Sequence, residues 1–190
     1  MADTVREKLT YKDWLAYPES KLRTELIDGR IEVSGAPTDG HQAVVIDTHA
    51  LLRSWMRVHW DGVALVSPCD VPLDDQNVVQ PDVVVWARER CRSRRADPMG
   101  VCPALVVEIL SRGSQGQDRV ERRHRYARYG IREYWIIDGK ARSVEVLVLE
   151  GSSYRSASMA VGDARVVSHA LPGFEAAACE FFVSLDDLSC

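Results

Sequence analysis

The sequence predicts an α/β fold, a central mixed β-sheet flanked by helices. Two short, β-branched and nearly continuous apolar runs carry most of that expectation. Residues 78–86 read Val-Val-Gln-Pro-Asp-Val-Val-Val-Trp and residues 103–111 read Pro-Ala-Leu-Val-Val-Glu-Ile-Leu-Ser. Runs of this kind, punctuated by Pro or Gly, are the pattern of strands buried on both faces. A long stretch of helical periodicity, 41–60, precedes them, and a second, near 118–129, follows. A third apolar run, 132–138, then has an alternating partner at 143–149. Helices and strands interleave, as in a layered α/β fold.

Taken in order, residues 9–17 predict a short helix, with Thr10 as its N-cap and Pro18 as its stop. Residues 24–34 predict a hairpin, because Asp28-Gly29 stands between two alternating apolar runs. Glu25 opens that hairpin, where a surface residue at a strand end is the plain alternative to a functional one. In 41–60, Val44, Val45, Thr48, Leu51, Leu52, Trp55 and Met56 form one stripe. His41, His49 and His59 lie along it without an acidic partner at ligand spacing, so they read as structural or solvent-exposed. His41, at the helix start, is the one placed where it could face a site.

Residues 62–73 alternate as a strand whose Pro68 and Pro72 suggest an edge or an irregular end. After the 78–86 strand come an Arg-rich loop, 88–100, and the 103–111 strand. The turn 112–117 (Arg-Gly-Ser-Gln-Gly-Gln) opens the next helix, but it lacks a P-loop lysine and is offset from the nucleophile-elbow pattern. Along that helix Asp118, Arg122 and Tyr126 are four residues apart and share one side, and Gly130 ends it. The tail, 154–182, predicts short strands and turns.

A length of 190 residues, 46% hydrophobic and 27% charged, predicts one soluble cytoplasmic domain spanning 1–190. The charged N-terminus does not read as a secretory signal, and no apolar run reaches membrane-spanning length, so no membrane partner is expected. Cys69, Cys91, Cys102, Cys179 and Cys190 are scattered, without a Cys-x-x-Cys pair, and read as free thiols in a reducing compartment. The net charge of −4 argues against general attraction to nucleic acid. Basic charge is nevertheless clustered, in Arg88, Arg90, Arg92, Arg94 and Arg95, and again in Arg119, Arg122, Arg123, Arg125 and Arg128. Each cluster is either a solvated face or a local phosphate-binding stripe.

The chemistry lies in Asp82 and Glu108, one in each buried run. An ionised carboxylate in a sheet core is costly unless it is paired, hydrogen-bonded or metal-bound. Two on neighbouring strands repel each other, and a divalent cation between them removes that penalty. The alternative is that each sits at a strand end, solvated or capping a turn.

These residues occur in an order that resembles a known family. Glu-Leu-Ile-Asp-Gly (25–29), His41, Gln-Pro-Asp-Val-Val-Val (80–85) and Leu-Val-Val-Glu-Ile-Leu-Ser (105–111) are the first matching segments. Asp118 with Tyr126, Gly-Ile-Arg-Glu-Tyr-Trp (130–135) and Leu-Pro-Gly-Phe (171–174) complete the match. The chain thereby resembles the Uma-two family of restriction endonucleases, within the PD-(D/E)XK nuclease superfamily. The resemblance implies a restriction-endonuclease-like core, with Asp82 and Glu108 as metal ligands and Glu25 as a third acidic ligand. It implies Mg²⁺, with Mn²⁺ as a substitute, and hydrolysis of phosphodiester bonds in nucleic acid, DNA above all. It is compatible with a homodimer.

The superfamily lysine two residues after the glutamate is absent, since position 110 is Leu; the family's lysine on the following helix falls at Arg122. Arg122 is thus expected to stabilise charge at the scissile phosphate, though as an arginine it cannot act as a base. Two other functions stand beside the nuclease: a catalytically silent nucleic-acid-binding module, and a protein-interaction or regulatory domain.

Overall fold

The computed structural model describes residues 8–20, 22–111 and 117–188, with residues 117–119 described by their backbone alone. Helix α1 (Tyr11–Leu15) starts from a reciprocal capping box: the Thr10 hydroxyl accepts from the Asp13 N–H, and the Asp13 carboxylate accepts from the Thr10 N–H. Strands β1 (Thr24–Ile27) and β2 (Arg30–Val33) form the expected hairpin. Asp28 at φ 49° and Gly29 at φ 76° supply the two left-handed residues that its tight turn requires. A side chain at position 29 would also meet Lys8 Cβ at 2.6 Å.

Helix α2 (Asp39–His59) is capped by Thr38, whose hydroxyl accepts from the His41 N–H. It buries Ala43, Val44, Val45, Thr48, Leu52 and Met56, the stripe read from the sequence. Beyond it, two expected strands are each broken in the middle. The run 62–73 divides into β3 (Gly62–Val66) and β4 (Val71–Asp74), which belong to different sheets. The run 78–86 likewise divides into β5 (Asn77–Val79) and β6 (Val83–Ala87). The breaks face one another. β3 pairs with β6 as far as Val66↔Val83, β4 pairs with β5 from Val71↔Val79, and between them the Ser67 N–H donates to the Asp82 carbonyl at 3.0 Å. Pro68 and Pro81 lie in these gaps and offer no N–H to a ladder, so the antiparallel pair changes sheet there.

Residues expected as an Arg-rich loop instead form helix α3 (Arg88–Ala96). It has no buried residue and hence no apolar stripe to read, but arginine favours helix and no Gly or Pro interrupts the stretch. There follow β7 (Leu105–Ile109), α4 (Gln117–Arg128), β8 (Glu133–Asp138), β9 (Ser143–Glu150) and β10 (Ser153–Val161). The chain closes with β11 (Arg165–Val167), β12 (Glu175–Ala177), a 3-10 turn (Ala178–Phe182) and α5 (Val183–Asp187).

The larger sheet has the order β10-β9-β8-β7-β6-β3. It is mixed because β7 and β8 are parallel while its other pairs are antiparallel. A parallel pair needs a crossover, and α4 lies within that connection. A smaller antiparallel sheet has the order β2-β1-β5-β4. Each face of the larger sheet has its own core. Val83, Val85, Leu105, Val107 and Trp135 pack with α2 and with Phe174, Phe181 and Phe182. Val84, Trp86, Val106, Tyr134 and Ile136 pack with Tyr126 and Ala127 of α4 and with Ile27, Val71 and Val79 of the smaller sheet. This alternation fixes the register, since a slip of one residue would exchange the faces. It assigns Asp82 and Glu108, with the parity of Val84 and Val106, to the α4 face. Among the described residues no helix is long and apolar enough to cross a membrane.

Candidate active site

Three backbone segments converge beneath α4. Continuing the β6–β7 register past Val83↔Val107 sets Asp82 across from Glu108. Because β6 begins only at Val83, the Ile109 N–H finds no strand partner there; it donates to Asp82 Oδ2 at 2.7 Å. β1 meets β5 at Leu26↔Val78, which brings Glu25 to the end of β5, where its Oε1 accepts from the Gln80 N–H at 2.7 Å. Glu25, Asp82 and Glu108 are 2%, 3% and 6% exposed. Burial that deep rules out solvated strand-end carboxylates.

Two guanidinium groups lie among the three acids. Arg122, on α4, donates from Nη2 to Glu25 Oε2 at 2.5 Å, and from Nη1 to Glu25 Oε1 at 3.2 Å and Glu108 Oε1 at 3.1 Å. One turn later, the Tyr126 hydroxyl donates to Glu108 Oε1 at 2.5 Å. Arg23, just before β1, donates from Nη1 to Asp82 Oδ1 at 2.9 Å. Its Nη2 lies 3.2 and 3.4 Å from the two Glu108 oxygens and 3.4 Å from Glu25 Oε1. His41, in the first turn of α2, places Nε2 3.3 Å from Asp82 Oδ2. The Arg23 Nε and His41 Nδ1 atoms are buried without a hydrogen-bond partner among the described residues.

With the carboxylates ionised, three negative charges face two fixed positive ones, and protonation of His41 would balance the remainder. Burial acts to raise the pKa of Glu25, but Arg122 and Arg23, with the hydrogen bonds it accepts, hold it below its ordinary value. Burial pushes Glu108 up, reinforced by Asp82 and Glu25 and opposed by both arginines. For His41, burial favours the neutral ring, yet the hydrogen bond and charge of Asp82 outweigh it and raise the pKa. Burial, then the charge of Glu108, keeps the Tyr126 hydroxyl protonated well above its usual range.

The donor chemistry suits a hard divalent cation, since carboxylate oxygens converge from adjacent segments. The Arg23 guanidinium already stands between Asp82 and Glu108 as a cation of the chain's own. In this arrangement the guanidinium groups space the acids, and among the described residues no group of three or more His, Cys, Asp or Glu side chains is disposed to hold a metal ion. The residues therefore fit the cation in kind, while the place between them is taken by arginine.

All four site residues expected from the sequence, Glu25, Asp82, Glu108 and Arg122, meet in this cluster. Arg23 was missed, although its place two residues before Glu25 gives both the same parity along an extended chain. His41 faces the cluster instead of being merely structural or solvent-exposed. Tyr126 joins Arg122 at the cluster, as their spacing of four suggests. The turn 112–117 is described only at Gln117, and the side chains of Asp118 and Arg119 lie outside the described residues. In the second basic cluster Arg123 donates to the Tyr154 carbonyl at 2.5 Å and Arg128 lies over the Tyr129 ring. In the first cluster, Arg94 packs over Trp86 and donates to the Asp70 carbonyl, while Arg88, Arg90, Arg92 and Arg95 are exposed.

Among families of known proteins, Uma2, described as "Putative restriction endonuclease", matches residues 10–180, and the chain belongs to that family. A solved structure described as a putative nuclease belonging to DUF820, from Anabaena variabilis, superposes with a TM-score of 0.75. It is 21% identical in sequence, over 93% of this chain and 99% of that one, a likeness that carries the fold alone. The expected core, a central mixed sheet flanked by helices, is thus the fold of this chain. No curated protein matches it.

Proposed function

We propose that this Uma2 chain is a divalent-metal-dependent endonuclease that hydrolyses phosphodiester bonds in DNA, with Glu25, Asp82 and Glu108 as its acidic site. The observation that carries this reading is the convergence of three almost fully buried carboxylates beneath α4. Groups buried at such cost and perturbing one another belong more often to sites than to cores. The family description supplies the reaction class.

Asp82 and Glu108 would hold Mg²⁺ or Mn²⁺, with Glu25 as the third acid. Bound there, the ion supplies charge for a phosphate oxygen and makes a water molecule more acidic. Arg122 keeps its proton near neutral pH, so it can donate to a phosphate oxygen but cannot accept a proton from the attacking water. Its fork stabilises bound substrate as readily as the transition state, which favours binding over turnover. Ile109 and Gln80 hold the carboxylates in place through their backbone N–H groups.

The two arginines also favour a second reading. Because they neutralise most of the acidic charge without any metal, a catalytically silent nucleic-acid-binding module could keep the same cluster. Plasmid nicking with Mn²⁺, Mg²⁺ or EDTA, paired with gel-shift titration, separates the two. Metal-dependent nicking that Asp82→Asn and Glu108→Gln abolish in folded protein is the expected result. Binding without nicking would support the silent module, and neither activity would favour a protein-interaction domain.

A further inference from the structure

We infer that Arg23 is an internal counter-cation, filling the place between Asp82 and Glu108 that a divalent ion takes, and that it swings out when the ion binds. The inference rests on the metal-dependent reading above. One guanidinium reaches Asp82 at 2.9 Å and Glu108 at 3.2 Å, so the two acids that would share an ion share this group instead. Charge accounting favours an exchange over an addition. With the carboxylates ionised and His41 neutral, three carboxylates with both arginines sum to −1, and three carboxylates with Arg122 and a divalent ion sum to zero. A protonated His41 adds one positive charge to each sum and leaves their order unchanged. An ion that joined both arginines would leave an excess positive charge in a buried site, where it is costly.

Arg23 is the arginine built to leave. Arg122 projects from a helix, one turn from Tyr126, and grips Glu25 at 2.5 and 3.2 Å. Arg23 precedes β1, has contacts of 2.9 to 3.4 Å, and leaves its buried Nε without a hydrogen-bond partner among the described residues. Its main chain is anchored, since its carbonyl accepts from the Ser34 N–H at 2.9 Å, so the side chain can move alone. At 17% exposure that side chain has an opening to solvent, as Arg122 has at 18%, so anchoring and not exposure separates the two. Arg122 also bridges a different pair, Glu25 and Glu108, so moving it would not vacate the place beside Asp82.

Mn²⁺ titration by calorimetry, without nucleic acid, tests this on wild type, Arg23→Met and Arg23→Gln, with the exposed pair member Arg165→Met as control. Either Arg23 variant should bind Mn²⁺ at least 10-fold more tightly than wild type, the control should not, and Asp82→Asn should abolish binding. In wild type, phenylglyoxal labelling read by mass spectrometry should become several-fold faster at Arg23 once Mn²⁺ is added, with Arg122 unchanged. That second measurement holds even if the variants fold poorly. Equal Mn²⁺ affinity in wild type and a folded variant, or Arg23 labelling indifferent to bound Mn²⁺, would overturn the exchange and leave the metal site standing. No Mn²⁺ binding by wild type or any folded variant would overturn both.

Discussion

Replacing Arg122 with Met should destabilise the metal-free protein by about 3 kcal/mol. The substitution removes the 2.5 Å partner of Glu25 Oε2, a further bond to Glu25 Oε1 and a 3.1 Å bond to Glu108. What remains is uneven. Glu108 keeps Tyr126 and Arg23, and Glu25 Oε1 keeps the Gln80 N–H and the longer 3.4 Å contact to Arg23, but Glu25 Oε2 keeps no bond among the described residues. Removing one partner of a buried pair costs about 3–5 kcal/mol. Protonation limits that cost: neutralising a carboxylate of ordinary pKa 4.5 at pH 7 takes roughly 3.4 kcal/mol, at 1.36 per pH unit. The lower end of the range is therefore expected. For a chain of this size, Tm should fall by about 6–12 °C. Urea denaturation and thermal melting in EDTA read both quantities, with Arg165→Met as an exposed control expected to change stability by less than about 1 kcal/mol. A loss below about 1 kcal/mol in Arg122→Met would refute the reasoning, because Glu25 could then lose its shortest cationic contact at little cost.

Asp82→Ala should cost about 2 kcal/mol without metal, since it strips an acceptor from both the Ile109 N–H and Arg23, while Asp82→Asn should cost less; urea midpoints in EDTA distinguish them. Arg122→Lys should raise Mn²⁺-dependent plasmid cleavage by about 10-fold, because lysine can exchange a proton; equal rates would exclude position 122 from proton transfer. Tyr129→Phe should cost about 1 kcal/mol at pH 7, because the Tyr129 hydroxyl donates to Asp74. Burial and that bond push the Tyr129 pKa from 10.0 up to about 12, so folding favours the protonated hydroxyl. This contribution is complete below pH 10 and is lost as pH rises through 12, so the Tm difference between wild type and Tyr129→Phe should narrow over that interval. A constant difference would show that Tyr129 is not coupled to folding.

The parts of the fold legible in the sequence are those whose signal is local. Asp28-Gly29 demands a left-handed turn, the stripe from Val44 to Met56 has helical period, and Leu105 to Ile109 is apolar but for Glu108. Helix α3 was not legible because it is rich in arginine and has no fully buried residue, so no apolar stripe marks it. The site was legible where burial conflicts with charge. Glu108 in an apolar strand is conspicuous, and Asp82 and Glu25 become so once their order along the chain matches a family. Arg23 is different, since a charged residue near a hairpin is ordinary, and only the pairing of β1 with β5 brings it to Asp82, 59 residues away.

The broken strands and the position of Asp82 have one cause. Read alone, Pro68 or Pro81 is tolerable in an edge strand, and 78–86 looks continuous. The pairing of 62–74 with 77–87 puts both prolines at one level, where neither supplies an N–H, and the ladder opens. Had β6 extended back through Pro81, which stands opposite Ile109 in this register, the Ile109 N–H would have had a main-chain partner and the carboxylate no reason to turn toward it. The gap instead makes the Asp82 side chain complete the sheet, and this fixes one oxygen on Ile109 and leaves the other for a cation. Replacing Pro81 with a residue that restores the ladder should therefore loosen Asp82 even though the carboxylate itself is unchanged. Pro81→Val is expected to keep or raise Tm in EDTA while weakening Mn²⁺ affinity, by calorimetry, at least 3-fold. Unchanged affinity would show that the break in the strands is incidental to the site.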